Sequence, residues 1–148
     1  MYIVRAMTPN DISKVASLER ECFVSPWTEM QLTESYAKNY ARFLVAELNN
    51  EVVGYVGAYI VGDDADITNV AVTSHDRGRG IGEALMKGIE GVLSASSVVY
   101  IRLECRVSNV PARALYEKLG YKNIGIRPNF YVDHEDAVMY EKRLSQEV

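Results

Sequence analysis

The spacing of apolar and polar residues along the chain predicts a regular succession of strands and helices. Strands are predicted at β-rich runs bounded by turn residues: Tyr2–Ala6, Arg42–Leu48, Val52–Val61, Asp66–Thr73, Val98–Cys105, Tyr121–Ile126 and Ala137–Leu144. Helices are predicted from start signals and helical spacing at about Pro9–Cys22, at Pro26–Lys38, from Ile81 to between Ser94 and Ser97, and at Asn109–Leu119.

The order of these elements is βααβββαβαββ. Turn residues at 49–51 and 62–64 join the strands of the first half into an antiparallel meander. The second half contains a βαβ unit, which requires a parallel pair of strands. The sequence therefore predicts a mixed α/β sheet, with no internal repeat and no linker.

The length of 148 residues fits one domain, which we expect to span residues 1–148 and to fold without disulfides or metal. An apolar content of 48% and a charged content of 24% are ordinary for a globular protein. The longest apolar run, Val52–Val61, is interrupted by Gly54 and Gly57 and is about half as long as a membrane span. We expect no transmembrane segment.

Cysteine content and charge narrow the setting further. The first residues lack the basic start and apolar centre of a signal peptide, and Cys22 and Cys105 are too few for a disulfide framework, so we expect a cytoplasmic protein. A net charge of −4 argues against binding nucleic acid through bulk electrostatics. It mildly favours cationic substrates such as amines.

The most informative stretch is a glycine-rich turn between the strand that ends at Thr73 and the helix that begins at Ile81. Gly78, Gly80 and Gly82 remove side chains that would keep an anion away from the backbone. The first amides of the helix are free donors, and the helix dipole adds about half a positive charge there. This junction predicts a phosphate-binding site.

Known glycine motifs fit this turn poorly. A nucleotide-hydrolase phosphate loop needs lysine and then serine or threonine after its last glycine, but Glu83 and Ala84 follow Gly82. A dinucleotide fingerprint needs a further glycine or alanine where Glu83 or Leu85 stands, so it remains only a weak alternative despite the acidic Glu104 at the end of the next strand. A tight turn without a ligand is a further, minority alternative.

Two blocks of sequence together do fit a known family. The first is Arg77-x-x-Gly80-x-Gly82, and the second is Asn109-x-x-Ala112-x-x-Leu115-Tyr116-x-x-x-Gly120-Tyr121. In this order and spacing they resemble the GNAT family of acetyl-coenzyme A (acetyl-CoA) N-acetyltransferases over nearly the whole chain. The resemblance implies a mostly antiparallel central sheet flanked by helices, with acetyl-CoA as co-substrate. No metal is expected, because His75 and His134 are too far apart and have no other ligand-spaced partners.

Further segments resemble the ribosomal-protein-alanine N-acetyltransferases, the RimI type, within that family. They are Ser25–Glu29, Leu103–Asn109 and Arg127–Tyr131. Cys105 and Tyr121 depart conservatively from the usual pattern. The turn at 76–78 lacks the glutamine-arginine pair common in that subfamily, which puts side-chain contacts to the phosphates in doubt but leaves the backbone cradle.

The resemblance assigns the acetyl-CoA contacts to two regions. One is the backbone of the strand before the turn, where the family has a bulge, and the other is the turn with the start of its helix. Asn109 is either the N-cap of the later helix, a cofactor contact, or both. The implied residues are Val70, Ala71, Val72, Arg77, Gly78, Arg79, Gly80, Ile81, Gly82, Glu83 and Asn109.

Strand alternation puts Glu104 on a polar face, opposite Leu103 and Cys105. From the pattern alone, a solvated glutamate paired with Arg102 or Arg106 is as good an interpretation as a catalytic one. The subfamily resemblance implies that Glu104 is the general base that accepts the proton of the amine, through a water.

The remaining site residues rest on the resemblance as well. Tyr116 is an aromatic on a helix, where packing is the ordinary role, but the family motif implies a general acid that protonates the departing thiolate. Trp27 and Tyr131 are implied to line the acceptor pocket, although composition alone suggests packing. Cys105 is expected to be a buried thiol, and the two histidines, His75 and His134, are expected at the surface.

The acceptor is less well defined than the donor. An α-amino group, with a pKa of about 7.7–8.0, is easier to deprotonate than lysine at about 10.4, by roughly 3–4 kcal/mol. The resemblance favours the N-terminus of a protein, in particular a small-subunit ribosomal protein. Lysine, a small-molecule amine, and a non-catalytic acyl-CoA-binding sensor remain as alternatives, although the presence of both Glu104 and Tyr116 argues against a sensor.

Overall fold

A single mixed sheet runs through the computed structural model, which describes residues 2–144. Its strands are β1 (Tyr2–Ala6), β2 (Ala41–Leu48), β3 (Glu51–Val61), β4 (Asp64–Val72), β5 (Tyr100–Arg106), β6 (Lys122–Arg127) and β7 (Ala137–Arg143), arranged in the order β1-β2-β3-β4-β5-β7-β6. The helices are α1 (Ile12–Cys22), α2 (Glu29–Tyr36), α3 (Ile81–Ala95) and α4 (Val110–Lys118). The predicted order of elements and the mostly antiparallel sheet are confirmed.

The second helix is shorter than predicted. Its expected start at Pro26 is wrong, and α2 begins only at Glu29. Thr28 is the N-cap: its side chain accepts from the Gln31 N–H, and the Gln31 side chain accepts from the Thr28 N–H. The Trp27 N–H instead donates to the Glu19 carboxylate, so the chain at 25–27 connects the helices without joining either.

The two faces of the sheet bury different cores. On one face, α1 and α2 pack against Phe43, Val45 and Tyr55. On the other face, α3 and α4 pack against Leu44 and Val56 and against the inward side of β5. Alternation along the strands therefore sends neighbouring residues into separate cores, as the pleat requires. No helix among residues 2–144 is long and apolar enough to cross a membrane.

A gap opens between the two parallel strands at the middle of the sheet. β4 and β5 pair only from Asp64 with Tyr100 to Asp66 with Arg102, although both strands continue further. Just past the last pair, the register between β3 and β4 shifts, because Ile67 and Asn69 oppose adjacent residues of β3 and leave Thr68 as a bulge. A bulge bends its strand and increases the local twist. The bulge therefore lies where β4 leaves β5.

Candidate active site

Glu104 lies on β5 beyond the last residue that pairs with β4, beside the gap. Its side chain lines a cavity of about 450 Å³ together with Trp27, Asp66, Thr68 and Arg127. Further residues of β5, β6 and β7 complete the lining, among them Arg102, Ile124 and Met139. The predicted alternation of β5 is confirmed, since Leu103 and Cys105 are buried in the opposite core. The sheet thus presents Glu104 to a cavity of substrate size.

The neighbouring arginines do not neutralise Glu104. Arg102 is bound to Asp64 and Glu141, and Arg106 is bound to Asp133 and Glu135. Within residues 2–144, Glu104 itself forms no ion pair and no hydrogen bond. The simple alternative of a solvated Glu104 paired to Arg102 or Arg106 is therefore wrong. The carboxylate is left free to accept a proton.

The surroundings of Glu104 raise its basicity. Burial raises the pKa of the carboxyl, because water no longer solvates the charged form, and the charge of Asp66 raises it further. The positive charge of Arg127 opposes this shift and lowers the pKa. Desolvation is the dominant effect, so the pKa of Glu104 lies above its ordinary value. A base with a raised pKa accepts a proton more readily near neutral pH.

Tyr116 belongs to α4 and is packed in the core between α3, α4 and the sheet. The residue is 7% exposed, and the centre of its ring lies 6.0 Å from the ring centres of Tyr121 and Tyr140. Its hydroxyl makes no hydrogen bond to another described residue. Burial raises its pKa well above the ordinary value, so the phenol stays protonated at neutral pH. The structure supports packing of the ring and leaves the hydroxyl available as a donor.

Glu104 and Tyr116 face opposite sides of the sheet. Glu104 points to the side covered by α1 and α2, and Tyr116 packs with the core of α3 and α4. An unbroken sheet would separate them completely. The gap between β4 and β5 is the place where a group from one side can meet a group from the other.

The two predicted acceptor residues occupy different connections. Trp27, between α1 and α2, lines the cavity with Glu104. Tyr131 lies in the connection from β6 to β7, outside the lining of that cavity. The pKa of Tyr131 is raised to about 12, mainly by burial. Its ring packs against the Arg106 guanidinium, with 4.2 Å between the guanidinium carbon and the ring centre.

The glycine turn has the shape expected of an anion cradle. Gly78 and Gly80 both have φ of 80°, a left-handed conformation that favours glycine. A Cβ at Gly78 would meet nothing within 4 Å, so the turn is open on that side. The helix α3 starts directly after Gly80, with the amides of Ile81, Gly82 and Glu83 in its first turn. These features fit the diphosphate of acetyl-CoA.

The arginines of the turn differ in freedom. The Arg77 guanidinium folds back, with Nε 3.2 Å from the Val72 carbonyl oxygen and Nη2 3.4 Å from the Cys22 sulfur. Arg79 is 55% exposed and lies 3.8 Å from an Asp76 carboxylate oxygen. Both arginines are exposed, but Arg77 is held by these hydrogen bonds, so Arg79 is the less restrained of the two.

The strand before the turn differs from expectation in one respect. The bulge lies at Thr68 rather than among Val70, Ala71 and Val72, which remain paired with β3. On the other edge these three residues have no strand partner, because β5 has separated from β4. Their role in binding acetyl-CoA stays a prediction. The role of Asn109 in binding acetyl-CoA also stays a prediction. Its side chain is the N-cap of α4 and accepts from the Ala112 N–H at 3.2 Å.

The structure also corrects the set of residues around the site. Arg127 lines the cavity, and Arg106 binds the connection that carries Tyr131. The sequence suggests neither role: it indicates Arg106 only as a partner of Glu104, and Arg127 only as part of a segment that resembles the subfamily. Glu19 is fully buried beside Trp27. A signal for Glu19 exists in the sequence, because this acid falls on the apolar stripe of α1 that contains Ile12, Val15 and Ala16.

The remaining candidates are as expected. Cys105 is buried, and burial raises its pKa to about 11, so it is a poor nucleophile. His75 and His134 are exposed. Among residues 2–144 there is no group of three or more His, Cys, Asp or Glu side chains that could hold a metal ion.

Comparison with known proteins identifies the class. The sequence model of the Acetyltransferase (GNAT) family matches residues 12–121, which include the glycine turn, Glu104 and Tyr116. The chain belongs to the GNAT family and is an acetyl-CoA-dependent N-acetyltransferase.

Relatives place it more narrowly by similarity. It is 41% identical over 138 residues to a Bacillus subtilis (strain 168) protein provisionally named a ribosomal protein bS18-alanine N-acetyltransferase, covering 92% of this chain and 91% of the relative. It is 28% identical to the ribosomal protein bS18-alanine N-acetyltransferase of Escherichia coli (strain K12), covering 94% and 95%. The crystal structure of the ribosomal-protein-S18-alanine N-acetyltransferase from Escherichia coli matches with a TM-score of 0.91 and 26% identity, covering 100% of this chain and 97% of that one.

Proposed function

We propose that this enzyme acetylates the N-terminal α-amino group of a protein, such as a small-subunit ribosomal protein, with Glu104 as general base and Tyr116 as general acid. The observation that carries the proposal is the unpaired Glu104 carboxylate in a cavity beside the gap between β4 and β5. The named activities of the Bacillus subtilis and Escherichia coli relatives support the choice of acceptor.

In this mechanism acetyl-CoA supplies the acetyl thioester, held by the glycine turn on the side of α3 and α4. The amine enters the cavity on the side of α1 and α2. Glu104 takes the proton that the amine loses as its nitrogen bonds to the acetyl carbon. A backbone N–H on the free edge of β4, among Val70 to Val72, donates to the thioester oxygen and stabilises the negative charge that develops there.

Tyr116 completes the reaction. The carbon–sulfur bond breaks with its electron pair leaving on sulfur, and the Tyr116 hydroxyl protonates that thiolate. The raised pKa of the buried phenol keeps it in the protonated form required of an acid. Solvent then reprotonates Tyr116 and takes the proton from Glu104.

The test is thiol release from acetyl-CoA with a panel of N-terminal peptides, free lysine and polyamines. We expect turnover with N-terminal peptides, and a loss of about 10²–10⁴-fold in kcat for Glu104→Gln. Tyr116→Phe should also lower kcat, while both variants still bind acetyl-CoA. Unchanged rates in both variants would contradict the mechanism, and preference for lysine would contradict the acceptor. Tight binding of acetyl-CoA without turnover on any amine would indicate a sensor.

A further inference from the structure

One buried charged group has no part in the reaction described above. Glu19 lies in the last turn of α1, and its side chain is fully buried, with 0% exposure. Its neighbours along that face of the helix, Val15, Ala16 and Leu18, are core residues. An acid in such a place costs stability unless donors compensate its lost hydration.

Three donors from three separate segments surround this carboxylate. The Trp27 backbone N–H donates to Oε1 at 2.8 Å, the Tyr55 hydroxyl donates to Oε2 at 2.5 Å, and the Asn69 side-chain amide donates to Oε2 at 3.0 Å. Asn69 is 50 positions from Glu19 in the sequence, and Trp27 lies in the irregular segment that follows α1. Glu19 therefore joins α1, the α1–α2 connection and the strands β3 and β4 at one point.

Two of the three donors, Trp27 and Asn69, lie at the cavity that contains Glu104. Trp27 lines the cavity, and Asn69 follows Thr68, the bulged residue that lines it too. Residues 24–27 form one hydrogen bond with the rest of the described structure, from the Trp27 N–H to Glu19. Packing of the Trp27 ring near Tyr59, with 6.4 Å between ring centres, is its further support.

We propose that Glu19 is a positioning residue for the acceptor: it holds the Trp27 backbone and the β4 bulge in place and so shapes the cavity that receives the amine. The proposal rests on the proposed function, since it takes this cavity as the acceptor site. Glu19 does not touch the glycine turn. Loss of its charge is therefore expected to impair binding of the acceptor and to leave binding of acetyl-CoA unchanged.

The sequence offers a direct probe, because Trp27 is the only tryptophan in the chain. Its fluorescence reports on this wall of the cavity alone. In Glu19→Gln we expect red-shifted Trp27 emission, a rise of about tenfold in the KM of an N-terminal peptide, and an unchanged Kd for acetyl-CoA. Glu34→Gln is the matched control, since Glu34 is an exposed acid on α2 and its loss changes the net charge equally.

The outcomes separate the two proposals. Emission and peptide KM that stay at wild-type values in a folded Glu19→Gln variant would overturn the role of Glu19. If that variant does not fold, Glu19→Asp serves instead, because its shorter side chain keeps the charge but withdraws it from the Trp27 N–H; the same shift in emission and KM is expected. If the wild type acetylates an amine other than an N-terminus, the proposed acceptor fails, and the KM of that amine then tests Glu19.

Discussion

Two connections flank Glu104, and they are held in different ways. The α1–α2 connection at Trp27 is fixed by the buried carboxylate of Glu19. The β6–β7 connection at Tyr131 is fixed from the surface by Arg106, whose guanidinium binds Asp133 and Glu135 and lies 4.2 Å from the centre of the Tyr131 ring.

The difference lies in how far water can compensate for a lost contact. Arg106 keeps 27% of its side chain exposed, so its ion pairs compete with water and salt. The Glu19 carboxylate and its partner Tyr55 are fully buried and are shielded from both. We infer that the Trp27 side is a rigid part of the cavity, whereas the Tyr131 side is held by interactions that conditions can weaken.

The largest expected contrast is in stability. Glu19→Ala leaves buried donors without an acceptor, and we expect it to lower the free energy of unfolding by about 3 kcal/mol. Arg106→Ala removes partly exposed ion pairs and should cost about 1 kcal/mol or less. Denaturant unfolding of both variants at neutral pH measures the difference. Equal losses would mean that the two connections are held alike.

As the pH falls, the α1–α2 connection should lose its contacts at a higher pH than the β6–β7 connection. Burial raises the pKa of Glu19 above its ordinary value, whereas the Ser108 hydroxyl and N–H, with Arg106, lower the pKa of Glu135 to about 2. As pH falls, Glu19 is therefore protonated first, and the contacts of Glu135 persist until about pH 2. The other titratable groups facing Glu19, Tyr55 and Cys22, have raised pKa values and do not titrate in acid.

Trp27 emission and hydrogen exchange at the Tyr131 amide follow the two sides independently. The emission should change at a pH above 4.5, the ordinary pKa of a glutamate, and this step should be absent in Glu19→Gln. The Tyr131 amide, which donates to the Glu135 carbonyl oxygen, should keep its protection at that pH. Simultaneous loss of both signals would contradict the distinction.

Added salt should have a smaller effect, and it should affect the β6–β7 connection and not the α1–α2 connection. Raising the ionic strength should speed hydrogen exchange in residues 128–136 by up to about fivefold, as expected for ion pairs of about 1 kcal/mol. Trp27 emission should not respond. In Arg106→Gln the exchange should already be fast and insensitive to salt, and a persistent salt effect there would show that other charges hold this connection.

The smallest expected effect concerns Glu104, which lies between the two connections. Because Arg127 lowers its pKa and Asp66 raises it, the acid limb of kcat against pH should move to higher pH in Arg127→Gln and to lower pH in Asp66→Asn. The rate rises with pH as Glu104 loses its proton. Shifts of the same sign in both variants would contradict Glu104 as the titrating base.

Much of this architecture follows from local signals in the sequence. The alternation of β5 put Glu104 on the polar face, and Asn109 with Gly120 marked the ends of α4. The start of α2 was missed, because Ser25 and Pro26 imitate a helix start as well as Thr28 does. In the structure the Trp27 N–H donates to Glu19 and not to a cap at Ser25, and α2 begins after Thr28.

The sequence by itself determined the order of elements, the glycine-rich turn before α3 and the family, since these depend on periodicity, capping and motifs within a few residues. Only the tertiary structure decided that Glu104 is unpaired, that Tyr116 approaches from the other face, and that Glu19 supports Trp27. Each of these depends on partners brought together by strand register. Asn69, fifty positions from Glu19, reaches it because the register of β4 against β3 shifts at Thr68.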